Sequence, residues 1–146
     1  MGLVFIALVS AAVVNQLRPA PLPWDWRPDP PSLPVTEDFE ALEKFINTPN
    51  ALLVDARDEF LYRMGHIPGA INMPSDETSP EQIAAWQKGL PPQAEIIIYC
   101  SDAFCHMAEE LGEKMIEAGL SPVIFLPGFD EWENRGLPII GEAADD

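Results

Sequence analysis

Positive charge is scarce in this chain of 146 residues. Eight Lys and Arg stand against 24 Asp and Glu, a formal charge of −16. That excess excludes a basic patch for phosphate backbones or anionic lipid headgroups, so no nucleic-acid partner is expected. Cysteine is equally sparse. Two cysteines cannot build a disulfide scaffold, and with two histidines neither a four-cysteine nor a two-cysteine, two-histidine zinc pattern exists. A long hydrophobic run is missing too. The most apolar stretch, Gly2 to Val14, reaches about 16 residues when carried through Leu17, short of the roughly 20 needed to span a bilayer. No Lys or Arg precedes it, so the usual positive start of a secretory signal is absent.

What is present falls into segments. Residues 1–17 read as a short or tilted membrane anchor, the end of a span that starts upstream, or a signal peptide, with a buried core helix as the plain alternative. Membrane association through this segment is the expectation, with the side of the membrane open. Arg18 to Thr36 holds seven prolines, which bar a helix and favour an extended spacer over 18–35. Trp24 and Trp26 suit either an interfacial aromatic belt or packing of the spacer onto the domain. Arg18 and Arg27 weakly favour a cytoplasmic side. Residues 141–146 are an acidic tail.

Between them, 36–140 reads as one globular α/β domain. Thr36 is placed to cap a helix running to about Asn47. Leu52–Val54 is a buried strand, Glu59–Met64 a short helix, and GHIPGAINMP a turn with a brief strand. Ser79, Pro80 and Gln82 form a helix start with a capping box, ending near Leu90. Glu95–Tyr99 (EIIIY) is the strongest strand signal, its unbroken β-branched run implying burial on both faces. Ala103–Ala118 is predicted helical, with Met107, Leu111 and Met115 on one face and Gly119 closing it. Val123–Leu126 is a further strand and Phe129–Arg135 a last short helix. Alternating strands and helices predict an open parallel sheet flanked by helices.

Cys100 stands directly after EIIIY and before a helix. Ligands gather at the carboxyl ends of strands in such sheets. A helix start favours thiolate, and a short loop can aim several backbone N–H groups at an anion. A buried structural cysteine is the competing reading. The segment LLVDARDEFLYRMGHIPGAINMP, the strand EIIIY followed by Cys100, and the ending GFDEWENRGLPI together resemble a rhodanese-like domain from about Val35 to Ile140. The first carries Asp55, Arg57, Glu59, Gly65, His66, Ile67, Pro68, Gly69, Ala70 and Asn72. The last carries Gly128, Trp132, Gly136 and Pro138.

The resemblance implies a sulfurtransferase-type fold in which Cys100 accepts sulfane sulfur as a persulfide and passes it on. The donor is then a small sulfur compound and the acceptor a small thiol or a partner protein's cysteine. Ser101, Asp102, Ala103, Phe104 and His106 form the substrate-binding loop. Asp55 and Arg57 are expected to pair and brace a strand end, His66 to hydrogen-bond in its turn, and Trp132 to pack in the core.

The loop departs from the family where glycine and a basic residue commonly follow the cysteine. Asp102 brings negative charge, and Cys105 stands where a basic residue often closes the loop. His106 does not replace an arginine fork, which also speaks against phosphatase chemistry. Pro127 replaces a glycine in the closing pair. Cys105, five residues after Cys100, can act as a resolving thiol or as half of a thiol–disulfide couple, or pack inertly beneath the helix. No cofactor is expected, and no metal, since Cys100, Cys105 and His106 lack a fourth ligand. Two rival functions stand beside the sulfur carrier: a dithiol oxidoreductase or redox sensor, and a non-catalytic protein-binding module.

Overall fold

The computed structural model describes residues 33–141. Five parallel strands form one sheet: β1 (Val35–Thr36), β2 (Ala51–Asp55), β3 (Ile71–Asn72), β4 (Glu95–Tyr99) and β5 (Val123–Phe125). Their order is β1-β5-β4-β2-β3. Five helices connect and cover them: α1 (Phe39–Phe45), α2 (Glu59–Met64), α3 (Pro80–Gln87), α4 (Met107–Glu117) and α5 (Gly128–Asn134). This is the α/β architecture the alternating pattern predicts.

β4 lies at the centre, with Leu53 opposite Ile97 and Asp55 opposite Tyr99 on β2, and Tyr99 opposite Phe125 on β5. Its side chains alternate between two cores. Ile96, Ile98 and Cys100 join Val54 of β2, Ile83 of α3, and Leu111 and Met115 of α4. Ile97 and Tyr99 join Leu42, Phe125, Phe129 and Trp132 on the other face. The period of two thus explains why an all-apolar strand is needed: both faces are covered by helices. It also fixes the face on which Cys100 sits, two residues beyond Ile98 and toward α4.

Local signals set most helix starts. Ser79 and Gln82 form the reciprocal capping box at α3, as its sequence predicts. Two starts differ from expectation. Thr36 is not the cap of α1; it belongs to β1, and Asp38 caps by accepting from the Ala41 N–H at 3.0 Å. α4 begins at Met107 rather than Ala103, because the preceding residues are held in a loop by bonds of their own. The end of the expected spacer also packs with the sheet. Leu33 is 3% exposed in the core beside Ile124, and the Pro34 carbonyl accepts from the Ile124 N–H at 2.8 Å.

Among the described residues no helix is long and apolar enough to cross a membrane. The longest, α4, has 11 residues; at ~1.5 Å per residue it covers about half of a ~30 Å hydrocarbon core. This corrects the expectation of a membrane-associated protein. The apolar segment 1–17, the spacer up to residue 32, with Trp24 and Trp26, and the acidic tail from 142 lie outside the described residues.

Candidate active site

The carboxyl ends of β2 and β4 are joined by a buried polar network. Arg57 is 3% exposed and Asp55 fully buried. The guanidinium grips the carboxylate at two points, Nε to Oδ1 at 3.0 Å and Nη2 to Oδ2 at 2.6 Å, and the Arg57 N–H also donates to Oδ1. Nη2 donates further to the Gly65 carbonyl at 2.7 Å, and the cation lies 4.0 Å from the centre of the Phe129 ring. Asn72 Nδ2 donates to the Asp55 and Arg57 carbonyls. One cation therefore ties β2, the turn at Gly65 and α5 together. Burial alone would lower the Arg57 pKa; the hydrogen bond and charge of Asp55 outweigh it and raise it.

Tyr99, the residue before Cys100, completes this network. It is fully buried, and its hydroxyl accepts from the Ile67 N–H at 3.1 Å. Burial, then the charge and hydrogen bond of Asp55, pushes the phenol far above its ordinary range. His66 stays away from the cysteines. Its Nδ1 meets the Tyr62 carbonyl at 2.9 Å, its ring stacks on Tyr62, and its backbone pairs with Ile140. Trp132 is 1% exposed in the core, with Nε1 donating to the Pro138 carbonyl at 2.8 Å.

The loop from Ser101 to His106 is anchored at its start by the beginning of α5. The Phe129 N–H donates to the Cys100 carbonyl at 2.8 Å and the Asp130 N–H to the Ser101 carbonyl at 2.9 Å. Gly128 lies directly beneath, at φ +73°. A Cβ there would stand 2.5 Å from the Ser101 oxygen and 2.8 Å from the Asp102 nitrogen. Pro127, the departure from the family pattern, is the cap residue of α5 with φ −60°.

Within the loop, Asp102 governs the shape. Its carboxylate accepts from the Phe104 N–H at 2.7 Å, and its carbonyl accepts from the Cys105 N–H at 3.2 Å. Such local bonds compete with helix, which delays α4 until His106 becomes its cap residue. Two amides expected to face a ligand are therefore already engaged. Ala103, Phe104 and His106 are exposed, and the His106 ring lies 3.4 Å from Glu109.

Cys100 and Cys105 form a disulfide across this loop, with Cα atoms 6.1 Å apart, within the usual range for such a bond. Cys100 is 2% exposed and Cys105 half-buried. With α4 starting at Met107, Cys105 is the cysteine adjoining the helix start. The structure thus brings Cys100, Cys105 and Asp102 together in one loop, and sets Asp55 and Arg57 behind it. The roles of Tyr99 and Gly128 escape sequence reasoning. A lone polar-tipped residue ending an aliphatic strand is the only local signal for Tyr99.

A rhodanese-like domain family model matches residues 38–135. The chain belongs to this sulfurtransferase-type family. An HTH-type transcriptional regulator of Mycobacterium tuberculosis is 37% identical over 87 residues, covering 60% of this chain and 36% of that protein. The chain therefore spans about a third of the length of that relative. A protein of Bacillus halodurans shares the fold with a TM-score of 0.60 at 24% identity, covering 70% of this chain and 72% of its own. An As–Sb reductase from Leishmania major shares it with a TM-score of 0.57 at 20% identity, covering 66% and 75%. At these identities the two structures bear on the fold alone.

Two outcomes follow. Gly128→Ala is expected to lose about 3 kcal/mol or more, from positive φ plus backbone overlap, whereas Gly136→Ala, also at positive φ (+68°) but with nothing within 4 Å, loses about 1–2 kcal/mol. Equal losses in urea unfolding would contradict the contact with Ser101. For Tyr99, the folded pKa lies above the unfolded value of about 10, so its stabilising effect is complete below that pH and declines as pH rises past it. Unfolding free energy should fall there by about 1.4 kcal/mol per pH unit more steeply than in Tyr99→Phe. Parallel slopes would show that Tyr99 ionises freely in the folded protein.

Proposed function

We propose that this chain is a sulfur carrier in which Cys100 takes sulfane sulfur and Cys105 resolves the persulfide. The observation that supports the reading is the pairing itself: a cysteine at the carboxyl end of the central strand, in a sulfurtransferase-type family, bonded to a second cysteine in the same loop. In the reduced protein the Cys100 thiolate attacks a sulfane sulfur, and the donor leaves as its own anion. The Cys100 persulfide then either passes its outer sulfur to a thiol acceptor or is attacked at Sγ by the Cys105 thiolate. The second route forms the Cys100–Cys105 disulfide and releases hydrosulfide. Charge is conserved, since one thiolate enters and one hydrosulfide leaves.

Regeneration takes two electrons from thiols of a small molecule or a partner protein: two thiols become a disulfide while the pair is reduced. The first thiol attacks Cys105, the more exposed sulfur, and Cys100 departs as thiolate. A beginning helix beside Cys105 favours its thiolate.

The same disulfide favours a second reading, a thiol–disulfide oxidoreductase or redox sensor that never carries sulfur. Intact mass of the reduced full chain, before and after a sulfane sulfur donor, separates the two. The sulfur-carrier reading expects Cys105→Ser to gain one sulfur that Cys100→Ser does not, and the unsubstituted protein to end two hydrogens lighter. Loss of two hydrogens on mild oxidation, with no sulfur gained by any variant from any donor, would move the assignment to redox chemistry.

A further inference from the structure

The loop that receives the donor carries its own anion. Asp102 Oδ1 holds the Phe104 N–H at 2.7 Å, so an amide that an oxyanion would use is satisfied by the chain. No Lys or Arg occurs from Cys100 to Glu113. The cations on neighbouring elements are committed elsewhere. Arg57 is buried against Asp55 and the Gly65 carbonyl, and Lys114 Nζ donates to the Ser75 and Thr78 carbonyls. His106, exposed, lies beside Glu109. Phe104, between the two cysteines, is 87% exposed and offers an apolar edge rather than a charge.

We infer that the sulfur donor is an alkyl persulfide on an uncharged carbon frame and not an inorganic dianion, and that Asp102 sets this choice. The inference rests on the sulfur-carrier reading and names its substrate class. In the accepted step the Cys100 thiolate attacks the outer sulfur of RS–SH, giving Cys100–S–SH and RS⁻. The corresponding step with thiosulfate brings a dianion to a thiolate and expels sulfite, with three negative charges held at the loop throughout. Repulsion from Asp102 scales with the incoming charge, so it weighs twice as heavily on a dianion as on a monoanion. An alkyl persulfide on an uncharged frame is at most a monoanion near neutral pH, and its reacting RS–SH form is neutral, so it meets half of that repulsion or none.

The experiment uses the reduced full chain with Cys105→Ser, which traps sulfur on Cys100. Thiosulfate and 2-mercaptoethanol persulfide are compared by the rate of sulfur gain in intact mass. Asp102→Asn keeps an acceptor for the Phe104 N–H and removes only the charge. It should raise the ratio of the thiosulfate rate to the persulfide rate at least tenfold. Glu40→Gln, an exposed acid on α1, should change that ratio less than twofold and so controls for net charge. An unchanged ratio in Asp102→Asn, or an equal rise in Glu40→Gln, overturns the assignment of Asp102. The unaltered loop should gain sulfur faster from 2-mercaptoethanol persulfide than from thiosulfate. Sulfur gained from thiosulfate alone overturns this inference and leaves the sulfur-carrier reading standing, whereas no sulfur gained from either donor overturns both.

Discussion

The buried bond between Arg57 and Asp55 is the contact on which the rest of the site depends. A charged pair with exposures of 3% and 0% is costly to desolvate and holds only when every donor is matched. Here the matches are the structure. The carboxylate takes the guanidinium and a backbone N–H of Arg57, and Tyr99 lies within its reach. The guanidinium takes the Gly65 carbonyl and covers Phe129. Phe129 in turn gives its N–H to the Cys100 carbonyl. A chain of direct contacts thus runs from the end of β2 to Cys100, the proposed sulfur carrier.

In front of this rigid frame the loop is built differently. It is short, largely exposed and shaped by Asp102, with one cysteine on the core side and one half-buried. The division suits a reaction in two stages. In the proposed reaction a thiol fixed by a central strand would meet the donor, and a neighbouring thiol on a loop would resolve the product. The absence of Lys and Arg from 100 to 113 leaves backbone dipoles and the start of α4 as the loop's own sources of positive potential.

Much of the frame was legible in the chain. EIIIY is a strand over the predicted residues because continuous β-branched side chains fit only a strand buried on both faces. α2 and the capped start of α3 also lie where local signals put them. β1 was not legible: two residues following a proline-rich stretch carry no periodicity, and only pairing of Val35 with Ile124 makes them a strand. The start of α4 differs from expectation because Ala103 and Phe104 are acceptable helix residues, while the bond from Asp102 that removes them is a local competitor that propensity does not weigh. Within the site, a spacing of five made a Cys100–Cys105 pair conceivable, but inert packing of Cys105 was as compatible with it. The backbone contact between Gly128 and Ser101 joins residues far apart in the chain and has no local signature.

The central claim is that Cys105 resolves sulfur held on Cys100. Its most direct test is hydrosulfide released in a single turnover, with reduced full chain mixed with an equimolar alkyl persulfide and sulfide and disulfide measured together. The account predicts one hydrosulfide for each Cys100–Cys105 disulfide formed, on the same time course. Intact mass of the quenched intermediate completes the test: a Cys100 persulfide preceding the disulfide is the predicted species, and a mixed disulfide with the alkyl group in its place would mean that the two cysteines exchange electrons and never carry sulfur.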